Sequence, residues 1–435
     1  MQRTLFPDAN PCAARQPKTD RLLLARLLRE AAESKQLDEA AVKAAHEVVL
    51  KWADLETSGR LGELHETQLQ GEFLSEVFGA ALGYKTVTDT ADYWQLEREY
   101  TIEGAREQPD AILGHFRQGE ARRPLAVVEL KGPGVHLDRD RSNGRTAVQQ
   151  AWDYLSQTPP ECRWAVVSNL ISFRLYERNS TPRRYEHFTL QSLRDFKTFR
   201  QFYVLLRPEG LVRPVAGMPP EMAGLLERTQ NRQREVSDQL YASYSEQRAL
   251  LVEHLIHERG RGLDEAIEIV QRLLDRVIFI AFCEDRALLP QDTLKRAHSE
   301  LPAFSAVTNP RWQNFKNLFR FVHTGNEAAR IPPYNGGLFA PSPADDLELD
   351  DKWTHFFKTV GTYDFADEVN LDVLGHLFEQ SITELEKLRQ SGLFGCDAEM
   401  TRQFAAMPQS AKRKRLGIYY TPPELTSRIV EYTVG

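Results

Sequence analysis

The chain has 435 residues, of which 41% are hydrophobic and 27% charged, with a formal net charge of −7. This composition fits a globular protein of two or three domains and excludes a uniformly basic nucleic-acid coat. The four cysteines are scattered without a Cys-x-x-Cys pair, and the longest apolar run, residues 277–283, is too short to span a bilayer. We therefore expect a cytoplasmic protein with no zinc site, no disulfide framework and no membrane association.

The first part of the chain predicts helices followed by an α/β region. Apolar side chains recur at helical spacing over residues 20–83, as at Phe73, Val77 and Phe78. From residue 93 to residue 188 the pattern changes to short runs rich in β-branched and aromatic residues, interrupted by a helical pattern at residues 146–157. We expect a mixed sheet flanked by helices.

Two of the predicted strands carry charged side chains at their ends. Residues 125–131 form a β-type apolar run that ends in Glu129-Leu130-Lys131, and Asp110 opens the preceding apolar run. Because side chains alternate along a strand, Glu129 and Lys131 should share one face while Leu130 faces the core. The short connection between the two runs favours antiparallel neighbours, which would bring Asp110 beside Glu129.

This group of side chains suits phosphodiester hydrolysis. Two carboxylates are hard oxygen ligands that fit Mg²⁺, which keeps several waters and bridges protein to substrate phosphate. The metal would activate water and offset charge on the phosphate, and Lys131 would orient the water or neutralise the transition state. Gln150 and Tyr154 lie about one helical turn apart and could address the same strand of substrate.

The tripeptide pattern by itself has little weight, because Glu33-Ser34-Lys35 and two other segments match it. Only Glu129-Leu130-Lys131 ends a β-branched apolar run and is followed by a Gly-Pro-Gly stop. The alternative interpretation is a solvated ion pair on an edge strand.

Residues 72–176 resemble the PD-(D/E)XK nuclease superfamily, in the branch with a Gln-x-x-x-Tyr element. The resemblance implies an α/β nuclease core in which Asp110 and Glu129 bind Mg²⁺, Lys131 is the catalytic lysine, and Gln150 and Tyr154 belong to the active site. It also implies that Glu72 is a further acidic metal ligand on the preceding helix, although a solvated helix carboxylate fits the pattern equally well. Products would carry a 5′-phosphate.

A proline-rich segment predicts a domain boundary. Residues 208–220 contain four prolines and two glycines, and we place a linker there after a nuclease domain at 1–207. Residues 221–410 then predict a mainly helical connector domain. In it, residues 279–290 predict a helix that ends in acids, and residues 334–339 predict a turn in which Leu338 and Phe339 dock.

The last segment, residues 411–435, carries a second motif. A basic run at residues 412–415 precedes the sequence Leu-Gly-Ile-Tyr-Tyr-Thr-Pro-Pro, which ordinary strand and helix-start chemistry could also explain. The motif resembles the opening of adenine-N6 DNA methyltransferases. That resemblance implies contacts with the methionine end of S-adenosylmethionine from Gly417, Tyr419, Tyr420, Thr421 and Pro422.

The order of these features resembles single-chain type II restriction-modification enzymes, in which a nuclease, a helical connector, a methyltransferase and a recognition domain follow one another. That family degrades foreign duplex DNA such as that of phages. The methyltransferase catalytic motif and the recognition domain are missing, so we expect an N-terminal fragment that cannot methylate alone and would bind S-adenosylmethionine only in a longer chain. Self-association on DNA is left open.

Two other functions remain open at this point. One is a non-catalytic DNA-binding scaffold, and the other is a DNA-end-processing exonuclease of the same fold. In every case DNA contact must come from local basic patches, such as Arg139, Arg141 and Arg145 or the run at 412–415.

Overall fold

The computed structural model describes residues 21–63, 66–90, 92–102, 108–212, 219–301, 307–334 and 336–369. The described chain forms two compact units, one from residue 19 to residue 231 and the other from residue 232 onward. Each unit is described by itself below.

A six-stranded mixed sheet forms the centre of the first unit, with its strands in chain order. Neighbouring strands are antiparallel except the third and the fourth, which run parallel and are joined by a crossover helix. The strands are β1 (Tyr93–Arg98), β2 (Ala111–Arg117), β3 (Arg123–Leu130), β4 (Trp164–Ser168), β5 (Ser172–Glu177) and β6 (Glu186–Thr189).

Helices cover both faces of this sheet. One face packs against the helices at residues 39–57, 66–73 and 196–206 through a cluster that includes Val128 and Phe73, and the other packs against the helix at residues 147–157. The expected mixed sheet flanked by helices is confirmed. The helices are α1 (Ala25–Ser34), α2 (Glu39–Thr57), α3 (Glu66–Phe73), which continues as π-helix over Leu74–Ala81, α4 (Ala147–Gln157), α5 (Phe196–Leu206) and α6 (Pro208–Leu211), with 3₁₀ turns at Arg60–Glu63 and Ser192–Arg194.

The crossover helix α4 begins at Ala147, directly after a residue that caps its N-terminus. Thr146 is the N-cap residue, and a capping box joins its side chain and backbone to Gln149. The helix buries Ala147, Ala151 and Leu155 against the sheet. The predicted helix at residues 146–157 is therefore confirmed.

The regular elements described in the second unit are helices, joined by loops such as the one over residues 336–350. The division at residue 231 falls within the long helix α7 (Glu221–His257). The helix at residues 263–285 buries Leu273, Leu274 and Val277 in the core, as its apolar spacing predicts. The remaining helices are α8 (Leu263–Asp285), α9 (Thr293–Ser299), α10 (Pro310–Thr324) and α11 (Thr354–Val360), with a 3₁₀ turn at Asp351–Trp353.

The domain limits drawn from the sequence stay predictions. Helix α6 opens the segment expected as a linker, and its Leu211 is buried. The predicted turn at residues 334–339 is described except for residue 335, and Phe339 docks into the core of the second unit as expected. None of the described helices combines the length and apolarity needed to cross a membrane.

A buried carboxyl at the end of α8 should make the stability of the second unit fall as pH rises from 4.5 to about 8. Glu284 accepts the backbone N–H of Leu294 at 2.6 Å, and its neighbour Asp285 accepts that of Phe365 at 2.7 Å. Both carboxyl groups therefore accept hydrogen bonds from the backbone of the same unit. Desolvation by burial raises the pKa of Glu284 from 4.5 to about 8, with smaller contributions from the charges of Asp285 and Asp292, and the hydrogen bond from Leu294 opposes the shift in part.

We expect Glu284→Gln to remove this sensitivity. Between its unfolded and folded pKa values the folded state keeps a proton that the unfolded state loses, so stability falls as pH rises from 4.5 to about 8. One pKa unit is worth about 1.4 kcal/mol, so the total loss is a few kcal/mol. Urea denaturation across this pH range should show a flatter stability curve for Glu284→Gln, whereas Glu253→Gln, which changes an exposed helix carboxylate, should follow the parent. Parallel curves for Glu284→Gln and the parent would contradict this expectation.

Candidate active site

Asp110 and Glu129 lie on the same face of the sheet. Strands β2 and β3 are antiparallel with Ala111 opposite Val128, so one further step places Asp110 opposite Glu129. Side chains at opposite positions of an antiparallel pair point the same way. Asp110 Oδ2 also accepts the backbone N–H of Leu130 at 2.6 Å, which ties this carboxylate to the end of β3. The predicted pairing of the two strands is confirmed.

Glu129 and Lys131 form a close and largely buried ion pair. Glu129 Oε1 lies 2.6 Å from Lys131 Nζ, and the two side chains are 3% and 20% exposed. Leu130 points to the opposite face, into the cluster that contains Val128, as strand alternation predicts. Strand β3 is the third of six, so a solvated pair on an edge strand is excluded.

Helix α4 packs on this same face. Glu129 pairs in register with Val167 of β4, and Val167 belongs to the apolar cluster that α4 covers. Gln150 and Tyr154 of α4 are both buried. The Tyr154 hydroxyl donates to the carbonyl of Gln108 at 3.2 Å, which holds the backbone that leads into Asp110. Tyr154 can thus position the first carboxylate.

Helix α3 contributes a contact that the sequence pattern did not single out. Gln70 Nε2 donates to the Leu130 carbonyl at 3.0 Å, so the two peptide groups of Leu130 are held from both sides by Gln70 and Asp110. Gln70 stands two positions before Glu72, but nothing in that spacing indicates the contact, which depends on the packing of α3 on the sheet. Glu72 itself is exposed, while the adjacent Phe73 is buried in the cluster on the other sheet face.

The donor set fits a magnesium ion held by few protein ligands. Asp110 and Glu129 supply carboxylate oxygens, and Mg²⁺ commonly takes one or two carboxylates and keeps its waters. Within the described ranges no group of three or more His, Cys, Asp and Glu side chains is arranged to hold a metal ion. The structure therefore does not join Glu72 to the two acids in such a group, and its assignment as a ligand stays a prediction.

The basic patch at the start of α4 is partly engaged by acids. Arg145 lies 2.6 Å from Asp153, whereas Arg139 and Arg141 are exposed. The basic run at 412–415 and the proposed cofactor residues Gly417 to Pro422 lie outside the described residues.

Comparison with known proteins gives a relative that is similar in sequence to part of this chain. A protein of Methanocaldococcus jannaschii that is named a type II restriction enzyme and methyltransferase is 28% identical over 188 residues, which cover 37% of this chain and 14% of the relative. The resemblance to type II restriction-modification enzymes expected from the sequence is thereby confirmed over the aligned part. The match thus spans about one seventh of the relative's length. No protein-family model matches the chain.

Among solved structures, the cryo-EM structure of a DrdV–DNA complex is similar at 12% identity with a TM-score of 0.24, over 88% of this chain and 30% of that one. A likeness of this size supports no conclusion about fold or function.

Proposed function

We propose that this chain contains the nuclease portion of a type II restriction-modification enzyme, which hydrolyses phosphodiester bonds of duplex DNA with Mg²⁺. The observation that carries the proposal is the meeting of Asp110, Glu129 and Lys131 on one sheet face, with the buried carboxylate of Glu129 2.6 Å from the lysine ammonium. A PD-(D/E)XK core is the fold we assign to the mixed sheet. The relative named a restriction enzyme and methyltransferase supports the same class of activity.

The residues of the chain have separate tasks in this proposal. Mg²⁺, when bound, supplies a Lewis acid that activates water and offsets charge on the phosphate. Asp110 uses one oxygen to bind the Leu130 N–H, which fixes the orientation of the carboxylate that would hold the ion. Lys131 offers a positive charge held in place by Glu129, and it stabilises the charge that builds on the phosphate oxygens. Tyr154 and Gln70 fix the backbone on either side of these groups.

The first test measures cleavage and metal binding with the same set of proteins. The parent should cleave plasmid DNA only with Mg²⁺, and its melting temperature should rise with Mg²⁺ concentration, because an ion bound only by the folded state stabilises it. Asp110→Asn should lose both effects, since it removes a ligand charge. Asp92→Asn, which changes an exposed aspartate just before β1, should keep them.

Each other outcome has a definite meaning. Parental cleavage by Asp110→Asn refutes the proposed site. Duplex binding without cleavage or a Mg²⁺ shift in the parent supports the non-catalytic scaffold instead. Cleavage of linear but not circular DNA supports an exonuclease of the same fold.

A further inference from the structure

The segment between β3 and α4, residues 132–145, is here named the arginine loop. It follows Lys131 directly and is fixed at three points. Asn169 Nδ2 donates to the Val135 carbonyl at 2.9 Å, and Leu137 is buried in the cluster under α4. The guanidinium of Arg174 donates to both oxygens of Asp138, at 2.7 and 2.8 Å. The loop therefore has a defined position.

The third of these contacts places the arginine loop on the face of the candidate site. Arg174 of β5 pairs in register with Val167 of β4, which in turn pairs with Glu129 of β3. Residues at one register position across neighbouring strands point to the same face of a sheet. The Asp138 that binds Arg174 thus lies on the Glu129 side.

The sequence Asp138-Arg139-Asp140-Arg141 has no net charge. In the structure, however, its two acids are bound by other groups of the protein while its two arginines are exposed. Asp138 is bound by Arg174, and Asp140 Oδ2 accepts the backbone N–H of His136 at 2.8 Å. Arg139 and Arg141 are both exposed, and among the residues that the structure describes neither makes an ion pair. The acids are used to build the loop, and the two guanidinium groups are available to a ligand.

We propose that Arg139 and Arg141 bind the phosphate backbone of the duplex on which Asp110, Glu129 and Lys131 act, an inference that rests on the proposed function. Guanidinium groups bind phosphate with two parallel hydrogen bonds. The chain carries a net charge of −7, so its attraction for a polyanion must come from local groups of this kind. Arg145, held by Asp153, has no part in the contact.

The test is the salt dependence of duplex binding by the full chain. Fluorescence anisotropy of a labelled duplex of arbitrary sequence, without divalent ions, gives affinity at a series of NaCl concentrations. Each phosphate contact contributes about 0.9 to the slope of log affinity against log salt, so Arg139→Gln/Arg141→Gln should lower that slope by about 2. Arg139→Lys/Arg141→Lys keeps the charges and should keep most of the slope.

The matched control is Arg29→Gln/Arg60→Gln, which makes the same change of charge at exposed positions of the helical layer on the other sheet face. It should bind like the parent. A slope unchanged in Arg139→Gln/Arg141→Gln, or lowered equally in the control, overturns the proposal even where Asp110→Asn shows that the site cleaves DNA. Failure of the parent to bind any duplex overturns the proposed function together with it.

Discussion

Replacing Lys131 with methionine should reduce Mg²⁺-dependent cleavage by at least about a hundredfold, the effect typical of losing one group that stabilises transition-state charge. The ammonium lies 2.6 Å from Glu129 in a mostly buried pair. A cation from solvent therefore does not readily replace its charge at this position. The measurement is a single-turnover rate with enzyme in excess over plasmid, which removes product release from the comparison. Lys51→Met, at an exposed position of α2, should cleave at the parental rate.

The same substitution also has a cost in stability, which needs its own control. Removing one partner of a buried ion pair costs about 3–5 kcal/mol, because the remaining buried charge loses that contact. The double variant Glu129→Gln/Lys131→Met removes both charges and should regain much of the lost stability while staying inactive. Parental cleavage by a folded double variant would show that neither group takes part in the reaction.

The arrangement of Asp110, Glu129 and Lys131 could be predicted from the sequence because two local features together indicate it. Alternation of side chains along a strand determines which face Glu129 and Lys131 share, and the short connection to the run that begins at Asp110 favours an antiparallel pair. The register in which Ala111 faces Val128 then follows, and it agrees with the structure.

The contacts around this group could not be predicted in the same way. Gln70 reaches Leu130 from a helix sixty residues earlier, and only the packing of α3 on the sheet creates that contact. The charge separation in the arginine loop depends on Arg174, a residue of β5 that the linear pattern does not connect with Asp138. Such pairings are decided by tertiary structure, so the pattern of one segment does not contain them.

Arg276 is a charged side chain that the structure buries. It stands among apolar residues of α8, where an arginine is ordinarily assigned to the solvated side of the helix. The side chain is instead fully buried. Its guanidinium lies 2.6 Å from Asp345 and also donates to the carbonyls of Leu338 and Ala340, so it fixes the segment that follows the turn at residues 334–339.

We therefore expect Arg276→Met to destabilise the second unit by about 3–5 kcal/mol, because it leaves Asp345 and two carbonyls without their buried partner. Methionine has a similar length, so the loss reflects charge and hydrogen bonds more than a cavity. Chemical denaturation, monitored through the hydrogen exchange of α8 amides, measures the stability of this unit specifically.

Arg272→Met is the matched control, because it removes the same charge from the same helix where the partner, Glu268, is exposed and 3.8 Å away. A pair of that kind contributes about 0–1 kcal/mol. Equal stability of the two variants would mean that the buried contacts of Arg276 contribute no more than a surface pair. A large difference between them would show that the buried contacts of Arg276 with the segment from Leu338 to Asp345 stabilise the unit, because both variants remove the same charge from the same helix.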